Sequence, residues 1–199
     1  MQPIRLTTKR LVLREIRSED WVEARVLDSD PIVVRYQSND VIDEAATKEF
    51  LAKSIAAQTE SPRTVFDLAV TELGDDRYLG RCGLAIRRVE HKEAELWFNL
   101  RRDRWGTGIA TEATGALLDF AFAELGLHRV YGDCDPRNIG SARVMEKLGL
   151  KREAHLRENW WLKGEWCDSL IYAVLEQEWR SLRANQPPSP RAGERRGEG

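Results

Sequence analysis

A strongly apolar segment in the middle of the chain, residues 108–125, constrains the fold more than any other feature. Its apolar side chains recur four, four and three residues apart, as on one face of an α-helix: Ile109, Ala113, Leu117 and Phe120. Three more apolar side chains widen that face: Leu118, Ala121 and Phe122. Because a helix this apolar has to bury most of its surface, we expect it to lie deep in the core.

Short apolar runs typical of strands lie on both sides of this helix in the sequence. Strands are predicted for residues 11–16, 64–71, 78–86, 94–100, 129–134, 160–162 and 166–175. Turns are predicted at Gly74-Asp75-Asp76 and at Lys163-Gly164. Further helices are predicted for residues 21–27, 43–57 and 141–148, the first of them capped by Ser18-Glu19-Asp20. This order predicts an α/β chain with a mixed sheet, without the regular alternation of a doubly wound fold.

The composition is typical of one globular domain with a short tail. The chain has 199 residues, of which 42% are hydrophobic, and this suffices for one sizeable core. We predict a single domain over residues 5–184. Residues 185–199 carry no large apolar side chain, so we predict a disordered C-terminal tail there.

Charge and cysteine content exclude several classes of protein. Lys and Arg total 31 against 33 Asp and Glu, so a broad basic face for nucleic acid is not expected. The cysteines, Cys82, Cys134 and Cys167, are widely spaced and form no CxxC pair, which favours reduced thiols and no metal site. No apolar run approaches about 20 residues and no signal-peptide core is present, so we expect a cytoplasmic protein without membrane contact.

The sequence Trp105-Gly106-Thr107-Gly108-Ile109-Ala110, just before the apolar helix, predicts an anion site. Glycines let the backbone turn so that several N–H groups point into one space, and the helix start adds unpaired donors and a positive dipole end. Together these favour a phosphate or pyrophosphate. A plain glycine turn remains the alternative. A Rossmann fingerprint is excluded because Thr111 replaces its third glycine, and no Gly-Lys-Ser/Thr triplet of a Walker loop follows.

A second helix start follows the next predicted strand. Residues 135–143 contain Asn138 and Ser141, either of which serves as a helix N-cap or as a hydrogen-bond partner of a ligand. If the two flanking strands are parallel neighbours, both helix starts open at the same edge of the sheet. That edge is the usual ligand crevice of α/β sheets.

These motifs together resemble the GNAT superfamily of acetyl-CoA-dependent N-acetyltransferases. The resemblance rests on residues 105–113, on Asn138-Ile139-Gly140-Ser141 and on residues 144–150. Within the superfamily, residues 6–14 and 164–173 resemble the RimJ/RimL type, which acetylates protein N-termini. The resemblance covers roughly residues 5–179. It implies an α/β (α+β) fold with a central mixed, mostly antiparallel sheet of about 6–7 strands flanked by about four helices.

The resemblance also assigns the cofactor acetyl-CoA to the glycine loop. The pyrophosphate is expected on the backbone N–H groups of Gly106, Thr107, Gly108, Ile109 and Ala110. Trp105 stands where the family usually has Gln or Arg, and the adjacent Arg104 is a candidate charge partner.

By the same resemblance, the pantetheine arm pairs with the strand backbone near Phe98 to Leu100. Asn138 and Ser141 then face the pantetheine and its sulfur. The resemblance further implies a possible homodimer.

Glu95 is the candidate general base. Strand alternation places it with Trp97 on the face opposite Ala94 and Leu96, and a carboxylate beside a tryptophan in a cleft is suited to work through water. An ordinary solvated strand face is the alternative. Ser141 is the first choice for the acid that protonates the leaving thiolate, against a pure capping role.

Other candidates are weaker. Tyr172 and Asp168 are further possible acids, and Cys134 is a possible acyl acceptor that more often packs as a small hydrophobe. Glu112, in the first helical turn, is interpreted as stabilising the helix dipole. Four tryptophans either wall an acceptor pocket or pack in the core or at a dimer contact: Trp97, Trp160, Trp161 and Trp166.

The leading functional hypothesis is direct acetyl transfer to a primary amine, by resemblance a protein N-terminal α-amino group. The alternatives are a small-molecule amine, such as an aminoglycoside, polyamine or amino acid, and a catalytically silent CoA-binding module. An acidic acceptor pocket favours a small cation, and an open groove favours a peptide.

Overall fold

The computed structural model describes residues 3–185, which form one eight-stranded sheet with helices on both faces. The strands are β1 (Arg5–Thr7), β2 (Leu11–Glu15), β3 (Val65–Glu72), β4 (Tyr78–Arg88), β5 (Glu93–Leu100), β6 (Arg129–Cys134), β7 (Lys151–Leu162) and β8 (Glu165–Leu175). The helices are α1 (Trp21–Asp28), α2 (Glu44–Ala57), α3 (Ile109–Ala123), α4 (Ile139–Lys147) and α5 (Glu176–Ala184). Short 3-10 turns lie at Ser18–Asp20 and Arg102–Arg104.

The sheet is mixed and mostly antiparallel, as predicted. Its strand order is β1-β2-β3-β4-β5-β6-β8-β7, and β5 with β6 is the parallel pair of the described sheet. Residues 3–185 hold eight strands and five helices, slightly more than the 6–7 strands and four helices expected. Within the same residues, no helix combines the length and apolar character needed to cross a membrane.

The additional elements were missed for physical reasons. Strand β1 has three residues, and β7, of which residues 160–162 were predicted, is exposed along nearly its whole length, so neither shows the alternation of a half-buried strand. Helix α5 follows β8 without a connecting loop and is fixed through the buried Trp179, whose indole donates to Asp119 at 2.9 Å. The predicted tail, apart from Asn185, lies outside the described residues.

The apolar helix occupies the core as expected. Its residues Ala113, Leu117 and Leu118 are fully buried, and they face the side of β5 that carries Ala94 and Leu96. The Phe120 ring meets Phe66 of β3 edge-on, with ring centroids 5.6 Å apart. The predicted alternation of β5 is therefore confirmed: one face packs on α3, and Glu95 points to the other.

Helices α1 and α2 cover part of that opposite face. Asp28 of α1 accepts two hydrogen bonds from Arg81 of β4, and both side chains are buried. A small apolar cluster completes this layer: Ile16, Ala24, Leu51, Ala69 and Tyr78.

The two parallel strands separate towards their carboxyl ends. Pairing between β5 and β6 runs from Glu93↔Arg129 to Glu95↔Tyr131 and stops there. Beyond that point β5 pairs with β4 alone, and β6 pairs with β8 alone. Since α3 follows β5 and α4 follows β6, both helix starts lie at this open edge, as the sequence analysis anticipated for parallel neighbours.

Candidate active site

A cleft of about 1000 Å³ occupies the opening between β5 and β6. On one side it reaches Asn138 and Ser141 at the start of α4, and on the other it extends over the sheet to α2. The loop containing Tyr36 also borders it, and Lys163 of the β7–β8 turn holds that region by donating to the Val34 carbonyl at 2.6 Å. The cleft thus runs from the predicted cofactor side of the molecule to the other face of the sheet. We call its end near Ser54, Asp67 and Trp97 the chamber.

The glycine loop before α3 has the geometry of an anion site. Gly106 and Gly108 adopt φ of 74° and 81°, and a Cβ at Gly106 would meet no atom within 4 Å. The first hydrogen bond of the helix runs from Glu112 N to Gly108 O, and no side chain caps the helix start. The N–H groups of residues 108–111 are therefore left for an external acceptor. The predicted contacts Thr107, Ile109 and Ala110 lie in or beside this loop.

The two side chains that precede the loop are engaged with the protein. The Trp105 indole donates to the Leu100 carbonyl at 2.9 Å and so closes the end of β5. Arg104 approaches Asp103 and Glu72 at 3.7 and 3.9 Å, and its buried Nε has no hydrogen-bond partner within residues 3–185. The residue that replaces the family's Gln or Arg thus has a structural contact of its own.

Sequence reasoning missed a clamp that fixes the loop. Glu112 accepts hydrogen bonds from Thr8 Oγ1 at 2.6 Å, Arg10 N at 2.9 Å and Arg10 Nε at 2.6 Å. Arg10 also donates to the Thr107 carbonyl at 3.1 Å. Burial alone would raise the pKa of Glu112, but the hydrogen bonds from Thr8 and Arg10 hold it below its ordinary value. Glu112 therefore ties the β1–β2 turn to the loop, beyond the dipole role assigned to it.

At the start of α4 the capping role is observed, whereas the ligand-binding role of Asn138 and Ser141 stays a prediction. Asn138 is the N-cap, since its Oδ1 accepts from Ser141 N at 3.1 Å. Both residues also line the cleft. The half-buried Ser141 hydroxyl makes no hydrogen bond to another described residue, so it is free to donate to a ligand.

Glu95 lies in the cleft on the face opposite α3. Its carboxylate accepts a hydrogen bond from Arg87 at 2.6 Å and is partly buried. Tyr131 is its direct neighbour on β6. Phe98 also lines the cleft, whereas the buried Leu100 packs into the core, so Leu100 offers only its backbone to this region.

Asp133 is a second acid in the cleft that sequence reasoning missed. It follows Tyr131 on the same face of β6. Asp133 is exposed to the cleft, and the surrounding cleft walls together with the nearby charge of Glu95 raise its pKa. Alternation on β6 could have indicated this side chain, but that Asp133 faces Glu95 depends on the pairing of two strands separated by α3.

The weaker acid and nucleophile candidates are occupied or inert. The Tyr172 hydroxyl donates to Glu146 at 3.0 Å. A backbone hydrogen bond from Glu158, together with His155, lowers the pKa of Asp168, which disfavours it as a proton donor. Burial raises the pKa of Cys134 to about 12, so its thiol is a poor nucleophile.

The four tryptophans divide into two groups. Trp97 and Trp160 line the cleft. Trp161 and Trp166 pack edge-on at 5.2 Å on the exposed tip of the β7–β8 hairpin.

The site thus combines a helix start with unpaired N–H groups and a free strand edge on one side with an acid-lined cleft on the other. The family model described as the acetyltransferase (GNAT) domain matches residues 10–151. The chain belongs to this family, and it is an N-acetyltransferase.

Individual relatives agree with this assignment. The N-acetyltransferase YnaD of Bacillus subtilis (strain 168), described as uncharacterized, is 32% identical over 177 residues, which cover 87% of this chain and 98% of that protein. The crystal structure of a GNAT-family acetyltransferase from Bacillus anthracis superposes with a TM-score of 0.80 at 28% identity, covering 88% of this chain and 100% of that one.

A more distant structure shares the fold. Spermidine N-acetyltransferase from Vibrio cholerae, solved in complex with CoA and spermine, gives a TM-score of 0.75 at 20% identity and covers 85% of this chain and 98% of that one.

Proposed function

We propose that this enzyme transfers an acetyl group from acetyl-CoA directly to the amine of a small cationic acceptor. The observation that carries the proposal is the acidity of the cleft. Six carboxylates line it, namely Glu60, Asp67, Glu95, Asp133, Asp135 and Asp168. Three cationic side chains line it, namely Lys53, Arg81 and Arg87.

The excess of carboxylates remains after ion pairs inside the protein are considered. Arg87 pairs with Glu95, and Asp135 pairs with Arg137. Arg81 forms its ion pair with Asp28, which lies outside the cleft lining. Cationic acceptors are therefore favoured by the field of the cleft. The spermine bound to the Vibrio cholerae relative is consistent with an acceptor of this class.

The residues around the opening suit acetyl-CoA. The N–H groups at the start of α3 would hold the pyrophosphate, with Arg10 and Arg104 as the nearby cations. The free edge of β5 near Phe98 would pair with the pantetheine amides, and Asn138 and Ser141 would face the sulfur end.

The chain's own groups then carry the reaction. When bound, acetyl-CoA supplies an electrophilic thioester. Glu95, with Asp133 beside it, accepts the proton that an ammonium group of pKa about 10 must lose before it can attack. Backbone N–H groups of β5 near Phe98 donate to the acyl oxygen as charge develops there. The Ser141 hydroxyl donates to the departing thiolate.

Thermal unfolding with acetyl-CoA, CoA or NAD tests the cofactor assignment. We expect both CoA compounds to raise Tm, since a ligand at 100 times its Kd stabilises by about 2.7 kcal/mol, and NAD to have no effect. Thiol release with a panel of small amines then tests turnover. Binding without turnover on any amine would identify a silent CoA-binding module instead.

Gly108→Val tests the loop itself. We expect it to abolish the acetyl-CoA shift, because its side chain enters the space predicted for the phosphates. Gly126→Val is the matched control, since Gly126 has φ of 62°, open surroundings and a place at the other end of α3. Normal acetyl-CoA binding by Gly108→Val would reject the loop assignment.

A protein N-terminus of the RimJ/RimL type is the second candidate acceptor. It is favoured by the exposed side of the cleft, where Trp160 offers half of its surface to solvent. Short peptides with a free α-amino group, assayed beside the small amines, distinguish the two: a kcat/KM at least tenfold higher for a peptide would favour the N-terminus.

A further inference from the structure

Asp67 occupies an unusual position in the chamber on the α2 side of the cleft. It lies in the middle of β3, is only 4% exposed, and lines the cleft. Its Oδ2 accepts a hydrogen bond from Ser54 of α2 at 2.7 Å. Its Oδ1 is buried and has no hydrogen-bond partner within residues 3–185. Buried carboxylate oxygens are ordinarily satisfied by a hydrogen bond, an ion or a water, so this oxygen has capacity for a further partner.

The surrounding charges do not compensate Asp67 fully. Burial raises its pKa, against the opposing charge of Arg81 and hydrogen bonding by the Ser54 and Trp97 side chains. Arg81 already forms a two-point ion pair with the fully buried Asp28, so it is shared between two carboxylates. An additional cation in the chamber would restore the balance of charge.

Gly83 and Trp97 connect Asp67 with the opening between β5 and β6. Asp67 pairs with Gly83 across β3 and β4, and Gly83 pairs with Trp97 across β4 and β5. Any Cβ at Gly83 would collide with the indole of Trp97, so the ring lies over the glycine in the direction of Asp67. Two strand spacings, roughly 10 Å, separate the backbone at Asp67 from that at Trp97.

We propose that Asp67 binds a second cationic group of the acceptor, so that the preferred substrate is an extended aliphatic diamine. One amine reacts near Glu95 and Asp133, while the other pairs with the free oxygen of Asp67. The Trp97 indole lies along the aliphatic chain between them. This inference rests on the proposed function, and it adds the substrate class and the residue that selects it.

The test compares acceptors of equal length that differ by one charge. Wild-type enzyme and Asp67→Asn are assayed by thiol release with 1,6-diaminohexane and with hexylamine. We expect the wild type to prefer the diamine. We expect Asp67→Asn to lower kcat/KM for the diamine roughly 10- to 100-fold, mainly through KM, and to leave hexylamine unchanged.

Glu44→Gln is the matched control, because Glu44 is an exposed carboxylate of α2 that pairs with Lys48 and lies outside the lining of the cleft. It removes one negative charge without touching Asp67, and we expect the preference for the diamine to persist. If Asp67→Asn lowers kcat/KM equally for both amines, Asp67 either binds the reacting amine or stabilises the fold. That result would overturn the proposal. An unchanged diamine preference would overturn it as well.

Direct binding separates this inference from the proposed function. Calorimetric titration of the CoA-saturated protein with each amine needs no turnover. If the diamine binds the wild type and not Asp67→Asn while no amine is acetylated, the subsite stands and the proposed activity fails. If hexylamine is acetylated but the diamine binds no better than hexylamine, the activity stands and the subsite is rejected.

Discussion

At the scale of single residues, the floor of the cleft holds two acids in different electrostatic surroundings. Glu95 is joined to Arg87, whereas the cleft walls and the like charge of Glu95 raise the pKa of Asp133. Paired carboxylates of this kind often share one proton-transfer task, because each changes the charge that the other experiences. We therefore expect their substitutions to change the pH dependence of the reaction differently.

Glu95→Gln is expected to lower kcat roughly 10²- to 10⁴-fold while the Kd for acetyl-CoA stays the same, because only proton removal is lost. Asp133→Asn is expected to lower kcat less than Glu95→Gln does, because Glu95 still accepts the proton. The profile of kcat/KM against pH is the measurement. If Glu95→Gln retains the wild-type profile and rate, Glu95 is not the base.

Asp133→Asn is also expected to stabilise the fold at neutral pH. The pKa of Asp133 is higher in the folded protein than in the unfolded chain. The free energy of unfolding therefore decreases as the pH rises from the ordinary aspartate pKa to the pKa of the folded state. The substitution removes that loss, so Tm should increase slightly at pH 7 and not at pH 3. A lower Tm at pH 7 would instead assign Asp133 a structural role.

At the scale of elements, the glycine loop is held by contacts between the β1–β2 turn and the start of α3. Thr8 and Arg10, in the β1–β2 turn, reach Glu112 in the first turn of α3. Arg10 also donates to the Thr107 carbonyl, so the turn is hydrogen-bonded to the loop directly. If the loop holds acetyl-CoA as proposed, we expect the N-terminal strands to contribute to its binding through these contacts.

Glu112→Ala is expected to cost about 1.5–3 kcal/mol of unfolding free energy, since it removes charge-assisted hydrogen bonds, and to weaken acetyl-CoA binding. The lowered pKa of Glu112 adds a pH signature. The stabilisation by Glu112 is fully present at a pH above the ordinary glutamate pKa. It disappears as the pH falls through the lowered pKa of the folded state. Urea unfolding at several pH values measures both effects.

Glu44→Ala provides the comparison for that experiment. Glu44 is also in a first helical turn, but it is exposed and pairs with Lys48 on the surface. We expect it to cost no more than about 0.5 kcal/mol. If Glu112→Ala and Glu44→Ala lower the free energy of unfolding by similar amounts, Glu112 acts only through the helix dipole.

At the scale of the whole molecule, the site depends on two layers attached to opposite faces of one sheet. Helix α3 is held by a continuous apolar core, whereas α1 is joined to β4 by the buried pair of Asp28 and Arg81. The layer that contains α1 thus combines a buried ion pair with its small apolar cluster.

Asp28→Asn is expected to destabilise the protein by about 3–5 kcal/mol, because it leaves Arg81 buried without its partner. Chemical denaturation measures this loss. A change below about 1 kcal/mol would show that Asp67 or solvent replaces Asp28 as the partner of Arg81.

Much of the architecture could be predicted from local patterns. The alternation along residues 94–100 placed Glu95 and Trp97 on the correct face, and the apolar repeat placed α3 in the core. Strand β7 could not be predicted along its full length, since its order comes from pairing with β8 and not from its own exposed side chains. The assignment of Glu95, Ser141 and the glycine loop to the reaction remains a prediction.

The sequence by itself determined the types of the main elements, the glycine loop and the family, because periodicity, turn chemistry and spaced motifs act over a few residues. Tertiary structure alone decided which distant groups meet. Glu112 reaches Arg10 across 102 positions, Asp133 approaches Glu95 through strand pairing, and Asp67 is enclosed by α2. Such contacts depend on how strands pair and separate in three dimensions, and no local pattern specifies them.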